Sequence, residues 1–178
     1  MKIVLISSSL NPQSRSYVLA QHCAEVVRAQ GGEEDLIDLR EHALPLHTGT
    51  AECKTPEVLA LTERVRSADA VLVAAPIYVY DTNAAIKNFV DLTGRAWTDK
   101  PVGFLCAAGG KSSYMAIMGL ANSLMLDFRC LVVPRFVYAT GGDFADDREP
   151  GMQIASDEIK ERIGVLVAAT TQLARALS

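Results

Sequence analysis

Ile3-Val4-Leu5-Ile6-Ser7-Ser8-Ser9-Leu10-Asn11-Pro12-Gln13-Ser14-Arg15-Ser16-Tyr17-Val18-Leu19-Ala20 decides how the rest of the chain is read. Four consecutive branched apolar residues, Ile3 to Ile6, bounded by a serine run, read as a strand buried on both faces in a parallel sheet. Asn11-Pro12 then marks a turn, Ser14 or a neighbouring serine caps a helix, and Val18, Leu19, Ala24 and Val27 recur at helical spacing. A hydroxyl-rich, uncharged loop between a first strand and a first helix, with Arg15 at the helix start, is a place to hold a phosphate. The unpaired N–H groups of the helix N-terminus point outward, the macrodipole favours an anion, the serines add donors and Arg15 adds a countercharge. Capping alone accounts for one serine. It does not account for an arginine in the first turn, which opposes the dipole unless an anion lies beside it.

Outward from this stretch the chain alternates. Gly31-Gly32 stops the first helix, and Asp35 to Leu39 reads as a short second strand. Arg40 to Thr55 is irregular, a candidate flap beside a ligand. Pro56 sits at a helix start, with Val58, Leu59, Leu61 and Val65 at helical spacing. Ala70 to Ala75 reads as a third strand ended by Pro76, and Ala84 to Gly94 as a helix. Val102 to Ala108 reads as a fourth strand, Tyr114 to Asp127 as a helix, and Leu131 to Tyr138 as a fifth strand. Pro134 interrupts that strand and suits a sheet edge. A Gly/Asp/Pro-rich loop, Gly141 to Gly151, precedes a last helix from Ser156 to Leu177. Strands and helices alternating in this way predict one α/β domain over residues 1–178, a doubly wound three-layer sandwich with a five-stranded parallel sheet. In such folds the ligand lies at the carboxyl ends of the strands, where the strand order reverses. The chemistry is therefore expected in the loops after strands one, three and four.

Composition sets the class. The chain has 178 residues, 49% hydrophobic and 21% charged, ordinary for a globular domain with a real core. A net charge of −4 offers no basic field for nucleic acid or an anionic membrane, so a bound phosphate is held locally. No apolar stretch approaches membrane-spanning length and no signal peptide is evident, which predicts a cytoplasmic protein without a membrane partner. Cys23, Cys53, Cys106 and Cys130 lack paired spacing, and three of them fall in apolar elements, where cysteine acts as a small hydrophobe. His42, His47 and Cys53 share a loop but read as surface residues, and no metal site is expected.

The two later loops offer different chemistry. Pro76-Ile77-Tyr78-Val79-Tyr80 combines exposed amides with two aromatic side chains, a wall for a flat heteroaromatic ring or simply a pair of packed tyrosines. Gly109-Gly110-Lys111 lets a ligand approach the main chain and sets a cation at a helix N-terminus. It is not a P-loop, because Leu105 stands where that motif needs its first glycine. No cysteine is followed by the arginine of a cysteine phosphatase, and the dinucleotide glycine pattern is missing after the first strand.

The loop Ser9 to Ser16, the segment Pro76-Ile77-Tyr78 with Ala85-Ile86-Lys87-Asn88 beyond it, and Ala107-Ala108-Gly109-Gly110 resemble the three flavin-binding loops of the flavodoxin-like NAD(P)H-dependent FMN reductases. The resemblance covers nearly the whole chain in order and spacing. It implies strand order 2-1-3-4-5 and non-covalent FMN, with NADPH or NADH as co-substrate. Carried over by position, Ser9, Ser14, Arg15 and Ser16 would hold the phosphate, Pro76, Ile77, Tyr78 and Val79 would flank the ring and ribityl chain, and Ala108, Gly109, Gly110 and Lys111 would meet the ring's polar edge. The chain departs from the family in carrying Val79-Tyr80 where members often have Asn-Gly, and Asn83-Ala84 where they often have Pro-Gly.

The expected function is an enzyme that takes hydride from a reduced nicotinamide onto FMN and passes electrons to flavin, a quinone or a similar small molecule. A flavodoxin-type electron carrier is the alternative, and a flavin-independent phosphate-ligand protein is a third. Lys111 favours the first, since a cation near the pyrimidine end of a flavin promotes hydride acceptance. No side chain is an obvious catalytic acid, base or nucleophile, which suits chemistry carried by a cofactor. Between Ser112 and Leu126 there is no charge, and apolar residues surround the helix. One side is then expected against a partner chain, making a homodimer or tetramer, with Trp97 a candidate partner-supplied wall.

Overall fold

Along β1 (Lys2–Ser7), Ile3 and Leu5 face one way and Val4 and Ile6 the other, and all four are buried. This alternation, inherent in extended backbone, places a hydrophobic core on each face of the sheet. The computed structural model describes residues 1–177, Glu52 by its backbone only. β1 is followed by α1 (Arg15–Ala29), β2 (Glu33–Asp38), α2 (Pro56–Arg66), β3 (Ala70–Tyr78), β4 (Asp81–Thr82) and α3 (Ala84–Thr93). Next come β5 (Pro101–Ala107), α4 (Met118–Phe128), β6 (Leu131–Val132), β7 (Val137–Ala139), the β8 (Phe144–Ala145) and β9 (Gln153–Ile154) hairpin, and α5 (Asp157–Leu177).

The principal sheet is parallel, in order β2-β1-β3-β5, with β6 and β7 together forming its last edge beside β5. In five principal strands this is the 2-1-3-4-5 order, a three-layer α/β fold. Side chains of α1 and α5 join Ile3, Leu5, Leu72 and Leu105 in one core, and those of α2, α3 and α4 join Val4, Ile6, Val73 and Phe104 in the other. At Gly103 in β5, an added Cβ would lie 2.7 Å from Leu72 and 2.8 Å from Leu166 of α5. A side chain there would force both leucines out of their places between sheet and helix.

Several elements differ from the sequence reading. β3 does not stop at Ala75 but runs through Pro76 to Tyr78. The Ser8 amide donates to the Ala74 carbonyl at 3.0 Å, so Ala74, and by the two-residue alternation Pro76, turn their backbone groups toward β1. β1 has already ended at Ser7, and the missing N–H of Pro76 leaves no ladder bond unmade. β2 begins at Glu33, because its polar residues pair with β1 from Lys2 onward. The segment after Gly110 is a 3-10 helix over Lys111–Ile117, and α4 starts only at Met118; Ser113 leaves helical geometry at φ −99°, ψ 24°. The expected fifth strand is split into β6 and β7 around Pro134, at the sheet edge as its proline demands.

Trp97 is the clearest correction. Its side chain is fully buried, packs edge-on against Phe89 and donates from Nε1 to Thr93 Oγ1 at 2.8 Å. It is a core residue, and it does not form a wall of any site. Segment 40–55 is irregular apart from 3-10 turns at Leu39–Glu41 and Ala51–Cys53, and it is fastened to α3. Asn88 donates to the Pro45 carbonyl and accepts from the His47 amide, both at 2.9 Å. No described helix is long and apolar enough to cross a membrane.

Candidate flavin site at the carboxyl edge of the sheet

The first loop is built around the start of α1. Ser14 caps the helix with extended backbone, its Oγ accepting from the Tyr17 amide at 3.1 Å, and the Val18 amide donates to the Ser14 carbonyl. The amides of Arg15 and Ser16 are thereby left as the first-turn donors. Ser14 Oγ and Ser16 Oγ lie 2.9 Å apart, and Ser9, buried, accepts from the Asn11 amide at 3.3 Å. Ser8 anchors the loop from behind, its Oγ 2.9 Å from Asn83 Oδ1 while Asn83 Nδ2 donates to the Ser8 carbonyl at 2.6 Å.

These groups open onto a narrow pocket of about 30 Å³, lined by Ser9, Ser14, Arg15 and Ser16, by Pro76, Ile77 and Tyr78, by Ala107, Ala108 and Gly109, and by Arg148. The volume is that of a small polar group rather than a ring system. The loops after β1, β3 and β5 therefore meet, and hydroxyls, helix amides and guanidinium groups converge where a phosphate would sit. This donor set, with no carboxylate on the pocket wall, fits a phosphate ester.

Arg15 reaches across the pocket instead of into water. Its Nε and Nη2 donate to the two carboxylate oxygens of Asp147 at 2.6 and 2.5 Å, and Nη1 donates to the Ala108 carbonyl at 3.1 Å. The hydrogen bond from Arg15 holds the Asp147 carboxyl below its usual range, and the same bond raises the arginine. Gly141 permits this approach, since a Cβ there would lie 2.6 Å from Arg15 Nη2.

The second loop is a hairpin. Ile77 pairs with Thr82 and Tyr78 with Asp81, which makes Val79-Tyr80 a two-residue turn with φ 50° and 61° at its centre. Such turns normally carry Asn or Gly, and a β-branched residue at positive φ is strained. Val79 is fully exposed and does not line the pocket; Tyr78 and Tyr80 are also exposed. The tyrosines are thus not packed into the fold. In the third loop Ala108 and Gly109 line the pocket, whereas Gly110 and Lys111 lie outside it. The Gly110 carbonyl accepts from the Tyr138 hydroxyl at 2.6 Å, and Lys111 is exposed.

A fourth loop, between β8 and β9, brings Asp147 and Arg148 to the site, and both escape a reading of local pattern. The only trace in the sequence is the charged run Asp146-Asp147-Arg148-Glu149 inside a stretch that otherwise reads as a turn. Three of the four cysteines are held as thiols by burial, whereas the hydrogen bond with the Thr48 side chain lowers Cys53. Burial pushes Cys106 up to about 12 and Cys130 up to about 11, and raises Cys23 as well. His42 pairs with Glu57, and Cys53 lies 3.2 Å from the Thr48 hydroxyl. No cluster of three or more His, Cys, Asp or Glu among the described residues is arranged to hold a metal.

Residues 1–145 match the family model for NADPH-dependent FMN reductase. The chain is 33% identical over 167 residues to the NADH-dependent FMN reductase SfnF of Pseudomonas fluorescens, covering 92% of this chain and 86% of that protein. It is 31% identical over 166 residues to an FMN reductase (NADPH) of Pseudomonas aeruginosa, covering 91% and 86%. Among solved structures it resembles FerB, a flavoenzyme NAD(P)H:(acceptor) oxidoreductase of Paracoccus denitrificans, with a TM-score of 0.78 and 19% identity over 98% and 97% of the two chains.

Proposed function

Because the chain belongs to the NADPH-dependent FMN reductase family, and so is an FMN-dependent NAD(P)H oxidoreductase, we propose that it holds FMN at the carboxyl edge of its sheet. In this reading the phosphate lies at the start of α1, against Ser9, Ser14, Ser16 and Arg15. The flavin ring lies between the Pro76–Val79 strand end and the Ala108–Lys111 turn. The carrying observation is the convergence of loops from three neighbouring strands on one phosphate-sized pocket lined by hydroxyls and arginine.

FMN, when bound, supplies the centre that accepts hydride and hands electrons on. The protein's share is to bind, orient and leave one face open. Ser14 and the first amides of α1 grip the phosphate end, the exposed turn at Gly109 and Gly110 meets the polar edge, and Tyr78 and Tyr80 stand at the entrance as flat walls. With one open face and no second dinucleotide fold, the nicotinamide and the acceptor use that face in turn, which predicts ping-pong kinetics. Flat acceptors, a flavin or a quinone, are preferred over small anions, because stacking needs area and Lys111 stands outside the pocket.

The protein works as a homodimer or tetramer in the cytoplasm, with no nucleic-acid or membrane partner. Exposed Tyr114 and Met115 before α4, and Met125 and Leu126 within it, support the assembly. The net charge of −4 supports the absence of a nucleic-acid partner. The test is anaerobic mixing of FMN-loaded protein with NADPH and separately with NADH, followed by a quinone or free flavin. Bleaching of the flavin absorbance and its recovery on adding acceptor are expected. Reduction by dithionite but by neither nicotinamide would favour the electron-carrier alternative.

A further inference from the structure

We propose that Arg148 supplies the net positive charge for the flavin phosphate, while Arg15 acts with Asp147 as a positioning pair that holds the loop carrying Arg148. The proposal rests on the reading that the phosphate sits at the start of α1. Three observations lead to it. Arg15 spends each of its donating nitrogens inside the protein, on both Asp147 oxygens and on the Ala108 carbonyl. Its charge is matched by a carboxylate before any ligand arrives, so Arg15 and Asp147 together present no net charge to a dianion. Arg148 lines the same pocket as Ser9, Ser14 and Ser16, and its guanidinium makes no hydrogen bond or ion pair among the described residues. With Arg148 counted, the three side chains sum to +1; the Arg148 charge also acts on Asp147, but its planar fork keeps its donors for two phosphate oxygens.

The backbone explains how Arg148 gets there. Asp146 and Arg148 flank Asp147 with φ 49° and 68°, left-handed geometry that non-glycine residues rarely adopt. The loop keeps that shape between fixed points: the Glu149 amide bonds the Asp146 carbonyl, the Arg148 amide meets Met152 Sδ, and the hairpin pairs Phe144 with Ile154. Asp147 ties the middle of this loop to the first turn of α1, 132 residues earlier. The consequence is that the loop bearing Arg148 is fastened beside the N-terminus of α1, where Arg148 lines the pocket.

The competing arrangement has Asp147 yielding Arg15 to the phosphate, and the two predict opposite results. FMN and riboflavin are titrated against wild type, Arg148→Gln and Asp147→Asn, with thermal melts to check folding. The expected result is a loss of about ten- to hundredfold in FMN affinity for Arg148→Gln with riboflavin unchanged, and a smaller loss for Asp147→Asn. Arg148→Lys should recover part of the loss, because it restores the charge without the fork. If wild type prefers FMN over riboflavin and Arg148→Gln keeps that preference, or Asp147→Asn binds FMN more tightly, the assignment to Arg148 is overturned and the phosphate reading stands. If wild type itself shows no preference for FMN, both fall.

Discussion

Ser8 and Asn83, 75 residues apart in the chain, hold each other in a buried two-way hydrogen bond at the carboxyl edge of the sheet. The pair ties the end of β1 to the residue that opens α3, so the serine loop after β1 and the Val79-Tyr80 hairpin share one anchor. Asn83 stands at the N-cap of α3 yet makes no capping bond with its side chain, which is committed to Ser8 instead. Asn83→Ala should cost about 1–3 kcal/mol, because it leaves the Ser8 carbonyl and hydroxyl buried without that partner. Asn83→Asp should be no better, since an ionised carboxylate has no proton to donate to the Ser8 carbonyl. Urea unfolding of both variants measures this, and a loss below about 0.5 kcal/mol for each would show that the pair contributes nothing net.

The Arg15–Asp147 pair sets a pH window. The carboxyl of Asp147 is lowered by the hydrogen bond from Arg15, so its contribution is present above the unfolded value near 3.8 and is lost as pH falls through the lower folded value. Wild type and Asp147→Asn should therefore differ by a constant amount, roughly 0.5–1.5 kcal/mol, from pH 8 down to about pH 5. The two should converge only in more acid solution. Thermal melts across that range decide the matter, and a gap that closes between pH 8 and pH 6 would point to a histidine instead.

The Val79-Tyr80 turn trades stability for surface. Both residues sit at positive φ in a two-residue hairpin that Asn-Gly would fill without strain. The double variant Val79→Asn, Tyr80→Gly should be more stable by about 1–3 kcal/mol and melt several degrees higher. If the two side chains border the acceptor, the same variant should raise KM for a quinone more than for the nicotinamide. A higher melting temperature with unchanged kinetics would leave the turn without a role in the reaction.

An interface on the α4 face would be formed by its exposed apolar residues rather than by Met118. Met118 is half-buried against the core, whereas Met115 is 55% and Leu126 76% exposed. Met115→Glu and Leu126→Glu should lower the mass seen by light scattering without disturbing the monomer's circular dichroism, because a charge at an apolar interface is costly and one on an open surface is not. An unchanged mass in both variants removes that face from the interface.

Much of the architecture was legible in the chain because it depends on neighbours in sequence. The apolar run Ile3–Ile6, Ser14 before a helical repeat, Pro56 at a helix start and Pro134 at a sheet edge each announce their state through local geometry. Alternating strands and helices then leave few ways to cover both faces of a sheet, and the 2-1-3-4-5 order came from the family resemblance. Local signals misled where a neighbour in space supplied the answer. Pro76 continues β3 because β1 has ended beside it, and Trp97 is buried because Phe89 and Thr93 enclose it. The serines that line the pocket stood out in the sequence, but the commitment of Arg15 to Asp147 and the arrival of Arg148 did not. Those depend on a contact spanning 132 residues, and no pattern along the chain encodes which of the charges at its two ends will meet. Periodicity, capping and turn chemistry are properties of short segments and were determined by the sequence alone. The pairing of distant polar groups is a property of the folded surface, and only the tertiary structure decided it.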